Sequence, residues 1–267
     1  MANRISKRKY YRENLRTLVT LSKAFRGRLY DSFKSYGLRA SREYKRDLTV
    51  TDSFYDDFFD RIYLLFSRQA ETVIDRVYKN MKRDLDIKGE EIIFEEDGVF
   101  VPVTPIVKAY INSSTAQNVT LVTATTKKNI QRVIKKSIEE GLSEVDTAFA
   151  IRQSSTFSET RAKMIARTET HTAMNYGQYE SAKGLLLEEP KKEWISSQDA
   201  RARSWHKQVS GSSVGIDEDF IIFTPVAGGG VREVPMKFAG DPTGGALNVI
   251  NCRCSILYHD IKTIVED

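Results

Sequence analysis

The sequence predicts an α+β protein, mainly α-helical through its N-terminal two-thirds, followed by a small, turn-rich α+β module. Three observations predict it. Apolar residues recur at three- and four-residue intervals along the first part, the spacing of one helix face. Behind residue 184 glycine and proline gather, in Gly228-Gly229-Gly230, Gly244-Gly245, Pro225, Pro235 and Pro242. The same region holds short apolar runs such as Phe220-Ile221-Ile222-Phe223, which read as strands.

Taken in order, Leu15, Leu18, Val19, Phe25, Leu29 and Phe33 predict an amphipathic helix from Asn14 to Tyr36, with Gly37 as its stop. A stronger stripe follows. With Thr51 or Asp52 as N-cap, Phe54, Phe58, Ile62, Leu65, Phe66, Val73, Val77 and Met81 share one face of a helix of some 30 residues. That length suits packing along another long helix, or a rod between parts of an assembly. Ile92-Ile93-Phe94, Asp97-Gly98 and Val99-Phe100-Val101 then predict a hairpin near residues 90–103. Thr104-Pro105 marks a new helix start, with Pro in the first turn. After a polar patch, Thr125 opens a basic helix. Ile130, Val133, Ile134 and Ile138 face inward there, Lys127, Lys128, Arg132, Lys135 and Lys136 face out, and Gly141 ends it. Residues 146–153 and 158–183 continue as helices. The resulting segments are a basic arm and helix (1–50), a helical domain (51–183) and a C-terminal module (184–267).

Composition narrows the function classes. With 267 residues, 40% of them hydrophobic, the chain has material for one large or two smaller cores and is not disordered. No stretch approaches the ~18–20 apolar residues of a membrane span, and no apolar segment follows the basic N-terminus, so neither anchor nor secretion signal is expected. Cys252 and Cys254 are one residue apart, too close for a secreted disulfide framework, so a reducing compartment is expected. Charge is uneven: residues 1–50 hold 14 Lys and Arg against 4 Asp and Glu, while the whole chain nets +5. Arg4, Lys7, Arg8, Lys9, Arg12 and Arg16 are therefore candidate contacts for double-stranded DNA, bound non-specifically, unless they only line a solvated helix face.

Other residues suggest a site. On a strand, Cys252 and Cys254 would aim both sulfurs to one side. If Ser197–Val209 is helical, Asp199 and His206 share a face, and Asp199, His206, Cys252 and Cys254 together could hold a structural zinc ion. The alternative is two small buried thiols and a hydrogen-bonded core histidine. Arg161, Arg167, Glu169 and His171 form a charged helical cluster, either an ion-pair network or a catalytic group. There is no Gly-x-Ser-x-Gly and no phosphate-binding loop.

In this order, Ala166-Arg167-Thr168-Glu169-Thr170, Trp194, Asp199-Ala200-Arg201-Ala202-Arg203, His206, and Asn251-Cys252-Arg253-Cys254 resemble the minor head, or head-morphogenesis, family of tailed bacteriophages, also called Mu F-like. The resemblance covers roughly residues 104–258. It makes Arg167, Glu169, Trp194, Asp199, Arg201, His206, Asn251, Cys252 and Cys254 the family-motif positions. Where the family often has Asp-x-Arg-Thr-Arg, this chain has Ala202 in place of the Thr, and Val209-Ser210-Gly211 stands where Leu-Asp-Gly is common. The resemblance implies a non-enzymatic phage capsid protein in the virion interior near the portal, present in the bacterial host cytoplasm during assembly. Its partners would be the portal protein, capsid or scaffold components and packaged DNA, with no membrane, and its role head morphogenesis and control of DNA release. No cofactor is implied. The competing expectation is a nuclease or toxin-like enzyme using His206 and Asp199 on a phosphodiester.

Overall fold

The computed structural model describes residues 5–84, 103–184, 190–259 and 264–265. The helical part comprises strand β1 (Ile5–Ser6), helices α1 (Lys7–Asp47), α2 (Asp52–Asp84) and α3 (Val103–Tyr110), a π turn (Ile111–Thr115), α4 (Ala116–Glu139), α5 (Glu144–Gln153), a 3-10 turn (Ser155–Phe157) and α6 (Glu159–Gly184). The remainder comprises β2 (Lys191–Ile195), α7 (Ser204–Gln208), β3 (Ser213–Gly215), β4 (Phe220–Pro225), β5 (Val231–Met236), a 3-10 turn (Pro242–Gly244), α8 (Gly245–Val249), β6 (Ser255–Tyr258) and β7 (Ile264–Val265). This is the expected α+β class. The expected hairpin lies outside the described residues, except that Val103 begins α3. Among the described residues no helix is long and apolar enough to cross a membrane.

By its contacts the chain divides into two units, one of residues 22–69 and 111–167, the other of residues 1–21, 70–110 and 168–267. The first is built on the aromatic stripes of α1 and α2. Phe25, Leu29 and Phe33 pack with Phe54, Phe58, Ile62, Leu65 and Phe66, all buried. The rings meet edge-on at Phe25–Phe66 (5.5 Å) and stacked at Phe33–Phe58 (6.1 Å). Arg161 is drawn into this unit rather than into a charged network. Its guanidinium donates to the carbonyls of Thr156 (2.8 Å) and Val122 (3.2 Å) and lies over the Phe33 ring. Burial pulls its pKa down to about 10.

Three local expectations are corrected here. Gly37 does not stop α1, which runs ten residues further to Asp47. A Cβ at Gly37 would stand 3.1 Å from the Phe157 ring, so the glycine makes room for packing. The helix of Thr125 begins earlier, at Ala116, because the polar patch is helical: Thr120 and Thr126 return their hydroxyls to carbonyls four residues back, at 2.8 Å each. Ile138 is 69% exposed, since Val119, Thr126, Ile130 and Ser137 take the inner line of α4.

In the second unit, β2 is the centre of an antiparallel sheet ordered β3-β2-β6, with Trp194 opposite Ile256. A β4-β5 hairpin stands beside it in sequence, burying Phe220, Ile222 and Thr224 in alternation. The start of α1 is tied to the sheet: Tyr10 donates to the Ile256 carbonyl at 2.8 Å, and Lys7 pairs with the buried Glu193 at 2.8 Å.

Lys192 is the buried cation of β2. Its ammonium donates to the Lys237 carbonyl (2.8 Å) and stands over the rings of Tyr179 and Phe220. Burial first, and the charge of Lys237 second, push its pKa down to about 8. A lysine whose folded value lies below its unfolded value of about 10.4 binds fewer protons when folded between those limits, so stability rises with pH there. Between pH 7 and 9 the gain is about 1 kcal/mol. Denaturation curves at the two pH values should show it, and Lys192→Met should flatten the rise; an equal rise in the variant would assign it elsewhere.

Candidate functional site

The site is built where a short helix, a turn and a strand end converge. Helix α7 carries His206, which is 1% exposed. Its Nδ1 lies 3.7 Å from Cys252 Sγ and 3.5 Å from Cys254 Sγ. Its Nε2 lies 3.1 Å from Asn248 Oδ1. Asn248, on α8 and fully buried, uses its whole hydrogen-bonding capacity. Its Oδ1 also accepts from the Trp205 indole (2.8 Å), and its Nδ2 donates to Thr224 Oγ1 (2.8 Å) and the Gly244 carbonyl (2.9 Å). An indole N–H only donates, so the atom facing it is the amide oxygen. His206 Nε2 must then be the protonated nitrogen, and Nδ1 presents a lone pair to both sulfurs.

The cysteines precede β6 rather than lying on a strand, so alternation along a strand does not align their sulfurs. What aims them is a turn at Asn251, whose φ of 56° is a left-handed conformation that asparagine tolerates well. The hydrogen bond with Cys254 draws the Cys252 thiol well below its usual range, while the same bond and burial push Cys254 well above it.

Helix α6 holds this turn from below through a polar stripe at Thr168, His171, Thr172 and Asn175, the i, i+3, i+4, i+7 positions of one face, all buried. Thr168 Oγ1 accepts from the Asn251 amide (3.1 Å), His171 Nε2 donates to the Cys254 carbonyl (2.8 Å), and Thr172 Oγ1 donates to the Gly240 carbonyl (3.0 Å). Gly240 has φ 86°, and a Cβ there would meet His171 Nδ1 at 2.6 Å, so this contact requires glycine.

Asp199 is not brought to His206. Residues 197–203 form turns, and α7 starts only at Ser204. The backbone turns at Gln198 (φ 54°), and the Asp199 carboxylate closes the loop by accepting from the amides of Arg201 (2.9 Å) and Ala202 (3.1 Å). It also pairs with Arg253, between the two cysteines, at 3.1 Å. Partial burial acts to raise the Asp199 pKa, but the Arg201 amide and Arg253 prevail and hold it below the ordinary value. Arg201 itself points largely to solvent.

Residues 128–257 match the family model described as Phage Mu protein F like protein. Over these residues the chain is similar to the Mu F-like family. It is 32% identical over 132 residues to NAD(+)--arginine ADP-ribosyltransferase EFV of Enterococcus faecalis (strain ATCC 700802 / V583), covering 48% of this chain and 25% of that protein. It is 28% identical over 133 residues to Minor head protein GP7 of Bacillus phage SPP1, covering 49% of this chain and 40% of that protein. The chain thus matches well under half the length of either curated relative. No solved structure matches it at a significant level.

Within the Mu F-like region, Trp194, His206, Cys252 and Cys254 are all at most 3% exposed and belong to one core. Trp194 packs edge-on to His206, with centroids 5.5 Å apart. Arg167 and Glu169 are half-buried on α6. The basic candidates are divided. Arg4 lies outside the described residues, Lys7 is engaged with Glu193, and Arg16 lines a cavity with Asn14 and Tyr258. Arg8, Lys9 and Arg12 are exposed, with Arg8 and Arg12 one helical turn apart. Sequence reasoning missed Thr168, Thr172 and Asn248 as parts of the site.

Proposed function

We propose that this protein is a minor head protein of a tailed-bacteriophage particle, non-enzymatic, residing in the virion interior near the portal. It associates there with the portal protein and neighbouring capsid or scaffold components, and acts in head morphogenesis and control of DNA release. The observation that carries this reading is the Mu F-like match over residues 128–257, together with the similarity to a relative named as a minor head protein.

Two surfaces support a protein of an assembly. At the end of α4 and on α5, Ile138, Leu142, Val145 and Phe149 are exposed, at 69%, 42%, 60% and 60%. Apolar side chains gathered in this way favour a protein partner. Arg8, Lys9 and Arg12 give a cationic start to α1 suited to phosphate contacts without base reading. The enzymatic alternative is less well supported: His206 is 1% exposed with both ring nitrogens engaged, and Asp199 is committed to Arg201 and Arg253.

Co-purification of the tagged protein with portal subunits at ~0.15 M and ~0.5 M salt tests the portal role, because exposed charges are screened over a distance that shrinks with salt. Retention at both is expected. No association at either, with nuclease activity in the same preparation, would favour the enzyme. For DNA, replacing Arg8, Lys9 and Arg12 by glutamine should weaken binding and flatten the slope of log K against log salt by about 2 to 3. An unchanged slope would remove these residues from the DNA contact.

A further inference from the structure

We propose that His206, Cys252 and Cys254 bind one zinc ion, which staples α7 to the turn that precedes β6. This goes beyond the head-protein reading and does not depend on it. The three ligand atoms lie within 4.8 Å of one another, and all three residues are buried. Tetrahedral zinc, with bonds of about 2.3 Å to sulfur and about 2.0–2.1 Å to nitrogen, sets an N···S edge of about 3.6 Å. The two edges here are 3.5 and 3.7 Å.

Three further features favour a metal over a plain hydrogen-bonded cluster. First, the Asn248 hub fixes the tautomer in which Nδ1 is the unprotonated nitrogen, the arrangement by which an outer partner orients a zinc-bound histidine. Secondly, two thiols face that single lone pair, and only one S–H can donate to it. Thirdly, the Trp194 indole, edge-on to His206 at 5.5 Å, and the Ser196 hydroxyl are buried donors with no oxygen or nitrogen acceptor, so hydrogen bonds within the protein do not exhaust the polar capacity of this region. Thiolate and imidazole select zinc over magnesium or calcium, which take oxygen ligands.

Asp199, part of the set drawn from the sequence, is occupied by Arg201 and Arg253. Among the described residues no fourth His, Cys, Asp or Glu joins the three. The burial of the three ligands fits a structural staple.

The full-length protein, purified under reducing conditions without chelator, should contain one zinc per chain by elemental analysis. After zinc removal, titration with Co²⁺ should give a thiolate-to-cobalt charge-transfer band and the visible bands of tetrahedral cobalt. Chelation should lower the melting temperature by about 10 °C. Cys252→Ser and Cys254→Ser should lose the metal. Should they fail to fold, His206→Cys should keep both the zinc and the cobalt bands, because thiolate replaces imidazole. Folded wild-type protein that carries only traces of zinc and develops no cobalt bands would overturn the proposal. So would stoichiometric occupancy by another metal, or a disulfide between the two cysteines.

Discussion

Replacing Asn248 by leucine should cost more stability than any other single change of similar volume in the C-terminal module. The amide is fully buried and makes four hydrogen bonds, to Trp205, His206, Thr224 and Gly244. Leucine has nearly the same shape but returns none of them. Each buried polar group left unpaired costs about 1–3 kcal/mol, and at least His206, Thr224 and Gly244 are affected, so a loss of about 4 kcal/mol or more is expected. The variant also frees the His206 ring to take the other tautomer, with N–H aimed at the sulfurs. Asn248→Asp should fail for a different reason, since it keeps the acceptors but turns a second oxygen toward the Gly244 carbonyl. Chemical denaturation followed by far-ultraviolet circular dichroism measures both. A loss below about 1 kcal/mol for Asn248→Leu would show that water replaces the amide, and that it does not organise the site.

How far the sequence reveals this arrangement depends on which force fixes each part. Apolar spacing alone marks the stripes of α1 and α2: Leu18, Phe25, Leu29 and Phe33 of the first are buried while Val19, expected on the same face, is 54% exposed, and every residue named for the second stripe is buried. Periodicity fails where polar residues do the packing. On α6 the motif Ala166 to Thr170 draws attention to its charges, yet the inward groups are Thr168, His171, Thr172 and Asn175. These have helical spacing but no hydrophobic mark, so a scan for apolar faces passes over them. A scan for buried polar stripes could have found them. Asn248 gives no such signal, since nothing in Gly245-Ala246-Leu247-Asn248-Val249 distinguishes a hub from a surface amide. Asn251 is legible after the fact, because a left-handed turn before two cysteines calls for Asn or Gly. His206 and the two cysteines were legible by residue type. Asp199 was misplaced because a carboxylate that caps its own loop reads in sequence like one on a helix face.

Trp194→Ala is the second large effect, and it tests whether this motif tryptophan is structural. The side chain is 0% exposed at the centre of the β3-β2-β6 sheet, edge-on to His206 at 5.5 Å and to Phe220 at 5.4 Å. Both of its backbone groups are tied to the segment entering β3, the amide donating to the Ser212 carbonyl (3.1 Å) and the carbonyl accepting from the Gly211 amide (2.8 Å). Truncation therefore leaves a cavity that the neighbouring strands cannot close, at a cost of about 3–5 kcal/mol. Phenylalanine fills most of the space and should cost about a third of that, the difference measuring the lost ring and indole N–H. Fluorescence is a poor readout here because only Trp205 remains. The reactivity of Cys252 and Cys254 toward a thiol reagent is a better one. Both sulfurs are shielded in the folded chain, and modification requires the module to open. When opening and closing are fast, the modification rate follows the open population, so a loss of about 3 kcal/mol should raise it by about 100-fold. A stability loss of that size with no change in thiol reactivity would mean that the tryptophan braces the sheet while the cysteines are protected by something else. In that event a bound metal is the protector that elemental analysis of the same variant would detect.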